Sequence, residues 1–127
     1  MDKKKILIVD DEPDILRLIS LRLRKLGYDV LTAVDGKEAL DAIRNENPDL
    51  VLLDLLIPFM NGAEVCEQIK NDKTLKHIPI ILFTAHSDTM TAEKAKKLGA
   101  EDYIVKPFVL EELTDKVEEI LAQGAVL

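Results

Sequence analysis

Five short apolar runs alternate with five longer segments of helical periodicity, and this alternation strongly limits the folds open to the chain. Each longer segment repeats apolar residues at the spacing of one helix face. Strands that alternate with helices in this way are typical of a parallel sheet covered by helices, so the sequence predicts an α/β fold. The predicted strands span residues 5–9, 29–33, 49–53, 78–83 and 102–105.

The predicted strands are almost continuously apolar, except the second. Strands of this kind are buried on both faces, as in the central layer of a three-layer sandwich. Right-handed crossovers between them build a doubly wound sheet. No linker, repeat or low-complexity segment interrupts residues 1–127, so we expect one domain with its core at about 3–122.

Composition narrows the functions that this fold could serve. A net charge of −7 and a pI near 4.8 argue against direct binding to nucleic acid, which normally needs a basic surface. The apolar run after the basic residues 3–5 is too short for an export signal or a membrane span. The single cysteine, Cys66, excludes an internal disulfide and a cysteine-based zinc cluster. We therefore expect a cytoplasmic protein without membrane contact.

Polar side chains follow four of the predicted strands at the point where each strand ends. Asp10 and Asp11 follow the first strand, and Asp54 follows the third. Thr84 follows the fourth strand and Lys106 the fifth. The carboxyl ends of parallel strands meet at one edge of a sheet, where ligands bind. We therefore expect these five side chains to converge.

This set of side chains suits phosphoryl transfer. Carboxylates bind hard divalent cations such as Mg²⁺, and an ammonium group binds a phosphate oxygen. Asp54 stands alone in the apolar run "LVLLDLLIP", where a buried carboxylate needs a partner. Asp54 would be a nucleophile that forms an acyl phosphate. A cation and Lys106 would offset the repulsion between the incoming phosphate and the carboxylates.

Each residue also has a structural interpretation. The acids around Pro13 suit the first turn of a helix, and Asp54 alone could be a hydrogen-bonded turn carboxylate. Thr84 alone is a common strand-end residue, and Lys106 could belong to a simple turn, in which the Pro bond after it is sometimes cis. Their joint placement at one edge favours a functional site. Cys66 and His77 keep the structural interpretation, as a core residue and a surface loop residue.

Four segments, "ILIVDDEPD", "LVLLDLLIPFMNG", "PIILFTA" and "GAEDYIVKPF", resemble the motif blocks of the receiver domain of bacterial two-component response regulators. The blocks occur in the same order, and the match covers residues 3–122. The resemblance implies a flavodoxin-like (βα)5 fold with the strand order 2-1-3-4-5 of the chemotaxis regulator. It also implies a protein that catalyses only its own phosphorylation and dephosphorylation.

The resemblance implies that Asp54 is the phosphoacceptor. Its phosphate would come from a sensor histidine kinase or a histidine phosphotransfer protein. Asp11, Asp54 and the main-chain carbonyl of Leu56 would ligate Mg²⁺, or Mn²⁺ in its place, and Asp10 would act through water. These roles make Mg²⁺ the expected cofactor.

The remaining implied roles concern signalling. Lys106 and Thr84 would bind the phosphate, and Thr84 and Tyr103 would form a switch pair that favours one of two pre-existing states. The chain would be a monomer or a weak phosphorylation-dependent dimer, and its downstream protein target is unknown. Candidates for the output face around the fourth helix, fifth strand and fifth helix are Lys94, Lys97, Tyr103, Glu111, Glu112, Asp115, Glu118 and Glu119.

The sequence departs from the family pattern after the phosphoacceptor, where Leu56 and Ile57 replace an often polar residue and an often-found Met. An apolar Leu56 cannot orient an attacking water, whereas His86, two residues after Thr84, could do so. We therefore expect Leu56 and His86 to set the lifetime of the phosphate, with slow self-dephosphorylation.

Two alternatives stay open beside a stand-alone receiver. The chain could be the receiver of a longer regulator with a DNA-binding or enzymatic output domain. It could also be a phosphohydrolase of the haloacid-dehalogenase type, which uses an aspartate nucleophile with a second acid two residues later. Glu12 follows Asp10 at that spacing but lacks the phosphatase surroundings, and Asp54 is followed at that spacing by Leu56.

Overall fold

Five strands alternate with five helices in the computed structural model, which describes residues 3–85 and 90–125, with side chains as far as residue 123. The strands are β1 (Lys5–Val9), β2 (Asp29–Ala33), β3 (Leu50–Asp54), β4 (Ile80–Thr84) and β5 (Asp102–Val105). The helices are α1 (Pro13–Lys25), α2 (Gly36–Glu46), α3 (Gly62–Lys70), α4 (Ala92–Lys97) and α5 (Leu110–Ala125).

The strands form one parallel sheet in the order β2-β1-β3-β4-β5, which confirms the predicted α/β fold and strand order. Successive residues of a strand point to opposite faces, and two apolar clusters result. Leu7, Leu53 and Leu82 pack on the face covered by α2, α3 and α4. Ile8 and Phe83 pack on the face covered by α1 and α5.

Two strands differ from their predicted bounds. β3 begins and ends one residue later than predicted, so Asp54 is its last residue and pairs in register with Phe83. β4 begins at Ile80 instead of residue 78, because Pro79 has no N–H to donate to a ladder and the Ile78 N–H is bonded within the preceding turn. The apolar character of this segment reflects burial in a turn as well as in a strand.

Several local predictions are confirmed. Gly27 follows α1 with a φ of 96°, the left-handed conformation expected of a glycine after a helix. Cys66 is buried in the core, where desolvation raises the pKa of its thiol to about 12. His77 is exposed in the loop before β4. Within the described part of the chain, the helices lack the length and apolar character needed to cross a membrane.

Candidate functional site

The carboxyl edge of the sheet brings the predicted polar residues together. The Lys106 ammonium lies 2.8 Å from Asp10 Oδ2 and 3.0 Å from Asp54 Oδ2. These partners are separated from Lys106 by 96 and 52 residues, so the topology of the sheet creates the cluster. The predicted convergence at this edge is confirmed for these three side chains.

Asp54 is a buried carboxylate held by two partners. Its Oδ1 accepts a hydrogen bond of 3.0 Å from the Leu56 N–H, and its Oδ2 faces Lys106. Burial raises the pKa of Asp54 above its ordinary value, although the hydrogen bonds from Lys106 and Leu56 act in the opposite direction. The desolvation of this carboxylate is therefore only partly compensated.

Gly62 sets the path of the chain beside Asp54. Its N–H donates to the Leu55 carbonyl at 2.9 Å. A Cβ atom at residue 62 would lie 2.7 Å from the Asp54 carbonyl oxygen and 2.8 Å from Leu55 Cα. Because both neighbours are backbone atoms, only glycine allows α3 to begin so close to the end of β3.

Asp10 is completely buried and belongs to an acidic cluster. Its Oδ1 accepts from the Glu12 N–H at 2.9 Å, and its Oδ2 accepts from Lys106. Carboxylate oxygens of Asp10, Asp11 and Glu12 lie within 4.8 Å of one another. Asp11 and Glu12 are exposed, so the cluster is buried at one end and open to solvent at the other.

Glu12 is a site residue that the sequence reasoning missed. Its Oε1 lies 3.6 Å from the Lys106 ammonium, and it precedes α1 without a side-chain capping hydrogen bond. The signal in the sequence was its position directly after Asp10 and Asp11, but the same position suits a helix start. Only the contact with Lys106 separates the two interpretations.

Lys106 is anchored by its backbone as well as its side chain. Its N–H donates to the Thr84 carbonyl at 2.7 Å, and its peptide bond to Pro107 is cis. Burial alone would lower the pKa of Lys106, but the hydrogen bonds to Asp10 and Asp54 outweigh burial and raise this pKa above its ordinary value. The ammonium is therefore charged, and carboxylates of Asp10, Asp54 and Glu12 share it.

Thr84 and Tyr103 lie on the same face of the sheet. Thr84 is fully buried at the end of β4, and its Oγ1 has no hydrogen-bond partner among the described residues. Tyr103 is partly buried and packs on the cluster that contains Leu82, with which it pairs in register. An unpartnered buried hydroxyl is costly, and it marks a place where a ligand acceptor would be favourable.

The two residues predicted to set the phosphate lifetime have different outcomes. Leu56 is 66% exposed beside Asp54, so an apolar side chain borders the mouth of the site. Phe59 is 93% exposed in the same loop. His86 lies outside the described residues.

The donor set fits a hard divalent cation. The edge combines clustered carboxylate oxygens, and its carboxylates outnumber the single ammonium that pairs with them in the described structure. Oxygen ligands of this kind select Mg²⁺ or Mn²⁺ over softer metals. The site can therefore bind a cation. Once the cation has neutralised the excess carboxylate charge, the site can also accept an incoming phosphate.

Known proteins are similar to this chain in sequence. The family model described as the response regulator receiver domain matches residues 6–118. The chain is 42% identical over 123 residues to the alkaline phosphatase synthesis transcriptional regulatory protein PhoP of Bacillus subtilis. It is 41% identical over 122 residues to the DNA-binding response regulator MtrA of Mycolicibacterium smegmatis. These alignments cover 97% and 96% of the chain but 50% and 52% of the relatives, so the chain spans about half of their length.

Solved structures share the fold over nearly the whole chain. A putative response regulator from Chloroflexus aurantiacus matches with a TM-score of 0.88 and 36% identity, covering 95% of this chain and 99% of the other. The chemotaxis response regulator CheY4 of Vibrio cholerae matches with a TM-score of 0.84 and 32% identity, covering 94% and 99%. Receiver domains are not a classical enzyme family. The chain belongs to the receiver domain family of two-component response regulators.

Proposed function

We propose that this receiver domain accepts a phosphoryl group on the Asp54 carboxylate. The observation that carries the proposal is the pair of buried carboxylates, Asp10 and Asp54, that share the Lys106 ammonium at the edge of the sheet. A buried pair of acids with one counter-charge is costly as a purely structural device. It is suited to a nucleophile that needs a positive group for the incoming phosphate.

In the proposed step, an Asp54 oxygen forms a bond to phosphorus as the phosphorus–nitrogen bond of a donor phosphohistidine breaks. The histidine nitrogen leaves with the bonding electron pair and takes up a proton, and Asp54 becomes an acyl phosphate. Lys106 would exchange the Asp54 oxygen for a phosphoryl oxygen over a short distance. The unpartnered Thr84 hydroxyl would donate to a second phosphoryl oxygen.

The proposed cofactor is Mg²⁺, with Mn²⁺ as a substitute. Asp11, Asp54 and the main-chain carbonyl of Leu56 would hold it, with Asp10 acting through water. The closeness of the Asp10, Asp11 and Glu12 oxygens supports a cation at this edge. Bound Mg²⁺ would neutralise the negative charge of the phosphoryl oxygens and carboxylates during phosphoryl transfer.

The proposed partners are a sensor histidine kinase or a histidine phosphotransfer protein. The output would pass through the switch pair Thr84 and Tyr103 to the face formed by α4, β5 and α5, where the predicted charged residues of α4 and α5 are exposed. The lack of direct nucleic-acid binding, the cytoplasmic location and the oligomeric state stay predictions.

A second candidate, the receiver of a longer DNA-binding regulator, is favoured by one specific observation. Relatives such as MtrA, whose name includes DNA binding, are about twice as long as the matched region. In either case residues 1–127 would form one receiver domain, and the DNA contact would belong to another domain. The family match favours both of these candidates over a phosphohydrolase.

The experiment that tests the proposal is phosphotransfer profiling. The native chain and Asp54→Asn are incubated with Mg²⁺ and each histidine kinase and phosphotransfer protein of the source organism. We expect one stoichiometric label on the native chain and none on Asp54→Asn. Equal labelling of the two chains, turnover of a generic phosphate monoester, or no labelling by any donor would overturn the proposal.

Leu56 supplies a first quantitative prediction about the phosphorylated state. Its exposed apolar side chain cannot orient an attacking water, whereas an amide can. We expect Leu56→Asn to speed the loss of the label by about tenfold, less than the ~100-fold or more of general acid–base catalysis, because an amide orients the water without taking its proton. The decay of labelled protein after removal of the donor measures this rate, with Leu56→Met as the apolar control. A decay rate unchanged in Leu56→Asn would contradict the prediction.

A further inference from the structure

The side chain of Lys106 crosses a neighbouring strand to reach its partners. Lys106 follows β5, whereas Asp54 ends β3, and β4 lies between these two strands. Strands in a sheet are about 4.8 Å apart, so the ammonium is carried roughly two strand spacings across the edge. A lysine stem has four rotatable bonds and loses considerable entropy when it is held extended. The position of this ammonium therefore needs support along its path.

Phe83 lies directly on that path. It is fully buried in β4, and its Cα pairs in register with Asp54 on one side and Ile104 on the other. The Lys106 ammonium lies 5.9 Å from the centroid of the Phe83 ring. Ammonium groups within about 6 Å of an aromatic centroid are attracted by the ring, and the attraction strengthens where water is excluded.

The Phe83 ring is held in place by a second aromatic ring, that of Phe108. Phe108 stacks on Phe83 with ring centroids 5.4 Å apart and an angle of 4° between the ring planes. Phe108 lies two residues after Lys106 in the segment that leads to α5. The stacked pair therefore joins β4 to the segment that carries the lysine, so the ring and the ammonium share one rigid support.

We propose that Phe83, stacked on Phe108, is a positioning residue that holds the Lys106 ammonium between Asp10 and Asp54. The carboxylates attract the ammonium but change during the reaction, because Asp54 becomes esterified. The uncharged ring does not change, so it keeps the ammonium at the edge while Lys106 exchanges a carboxylate oxygen for a phosphoryl oxygen. This inference rests on the proposed phosphorylation of Asp54.

The test compares two apolar substitutions in the same strand. Phe83→Leu removes the ring but stays apolar, and Ile81→Ala is the matched control because Ile81 is equally buried in the same cluster two residues earlier. Each chain is labelled with acetyl phosphate at saturating Mg²⁺, and the rate is measured against donor concentration. Urea unfolding gives the stability of each chain. Replacement of Phe83 by trifluorophenylalanine keeps the ring volume and weakens its attraction for cations.

We expect Phe83→Leu to lower the labelling rate about threefold to thirtyfold, the rate equivalent of a cation–π contact. Trifluorophenylalanine at residue 83 should also lower the labelling rate, with little loss of stability. This variant keeps the test possible if Phe83→Leu does not fold. In both variants the maximal rate at saturating donor should fall, while the half-saturating donor concentration stays native. Ile81→Ala should lose stability but label at the native rate, and all chains should bind Mg²⁺ with the same affinity.

Three results would overturn the inference. They are native labelling rates in the ring variants, a loss of rate in Ile81→Ala as large as in Phe83→Leu, and a change in the ring variants that is confined to the half-saturating donor concentration. These outcomes differ from failure of the proposed function, in which the native chain itself is not labelled on Asp54.

Discussion

The two edges of the sheet use charged residues in opposite ways. At the amino edge, Asp49 accepts from the Lys5 N–H at 2.7 Å, and Glu101 accepts from the Ile80 N–H at 2.6 Å. Both carboxylates thus satisfy backbone donors at the beginning of a strand. Lys70 donates to the carbonyls of residues 76 and 78 and lies 3.5 Å from Glu101. At this edge each of these charged side chains is matched by a partner.

The carboxyl edge lacks that balance. Asp10, Asp54 and Glu12 share the single ammonium of Lys106, and the buried Thr84 hydroxyl has no partner among the described residues. An unsatisfied buried group costs free energy, and a ligand that accepts its hydrogen bond would recover that cost. Charged residues lie at both edges, so charge alone does not identify the site, whereas carboxylates in excess of their counter-charge do.

The largest expected effect comes from removing the lysine at each edge. Lys106→Met leaves Asp10 and Asp54 buried without a counter-charge, so we expect a loss of about 3 kcal/mol in the free energy of unfolding of metal-free protein at neutral pH. We also expect labelling of Asp54 to fall about 100-fold, because a preorganised positive group is lost. Urea unfolding and labelling with acetyl phosphate measure the two effects.

Lys70→Met is the control at the amino edge. It removes hydrogen bonds to backbone carbonyls at a partly exposed site, so we expect a loss of about 1 kcal/mol and a native labelling rate. Equal losses of labelling in the two variants would show that the edges are not functionally different.

The next largest expected effect is the gain in stability on addition of Mg²⁺, which should depend on residues of the carboxyl edge and not on those of the amino edge. Because the carboxyl edge carries surplus negative charge, we expect Mg²⁺ at about 100 times its dissociation constant to raise the free energy of unfolding by about 2.7 kcal/mol. Asp11→Ala should lose most of this gain, whereas Glu101→Gln at the amino edge should keep it. Urea unfolding with and without Mg²⁺ measures the gain. Retention of the full gain by Asp11→Ala would place the cation elsewhere.

The pH dependence of stability should have opposite signs for two aspartates. Burial raises the pKa of Asp54, so its unfolded form ionises first as the pH rises above the ordinary value of 3.8. The folded state then binds more protons, and the stability of metal-free native protein relative to Asp54→Asn should fall until the pH passes the folded pKa.

Asp72, in the loop before β4, is the contrast to Asp54. Hydrogen bonds from the Thr74 side chain and backbone lower the pKa of Asp72 below its ordinary value of 3.8. The stability of native protein relative to Asp72→Asn should therefore fall as the pH falls through the window below that value. Urea unfolding at a series of pH values measures both differences. Trends of the same sign would contradict the assigned environments.

The fold was predictable because burial on both faces leaves a direct mark on the sequence. The continuous apolar runs of β1, β3 and β5 located those strands within one residue, whereas β4 was predicted two residues too early. Ile78 is buried in a turn, and periodicity cannot separate a buried turn from a buried strand. The strand order came from the family resemblance, since the alternation of elements does not fix it.

The sequence predicted which residues lie at the site, because their positions follow from the ends of the strands, but it did not predict their contacts. Asp10, Asp54, Thr84 and Lys106 lie at the expected edge because parallel strands share a direction. The choice of partners depends on side-chain paths, so the sharing of Lys106 by two acids was not visible in the sequence. Phe83 was unrecognised for a similar reason, since a buried aromatic residue in a strand looks like ordinary core.

The smallest expected effect comes from removing the Thr84 hydroxyl, which has no hydrogen-bond partner among the described residues. Thr84→Val replaces an unpartnered buried hydroxyl with a methyl group of similar size, so we expect the free energy of unfolding to rise by about 1 kcal/mol. Thr114→Val is the matched control, because the buried Thr114 hydroxyl donates to the Glu111 carbonyl at 3.2 Å; we expect a loss of about 1 kcal/mol there. Urea unfolding of metal-free protein measures both values. A loss in Thr84→Val as large as in Thr114→Val would mean that the Thr84 hydroxyl is satisfied, and the carboxyl edge would then differ from the amino edge in charge alone.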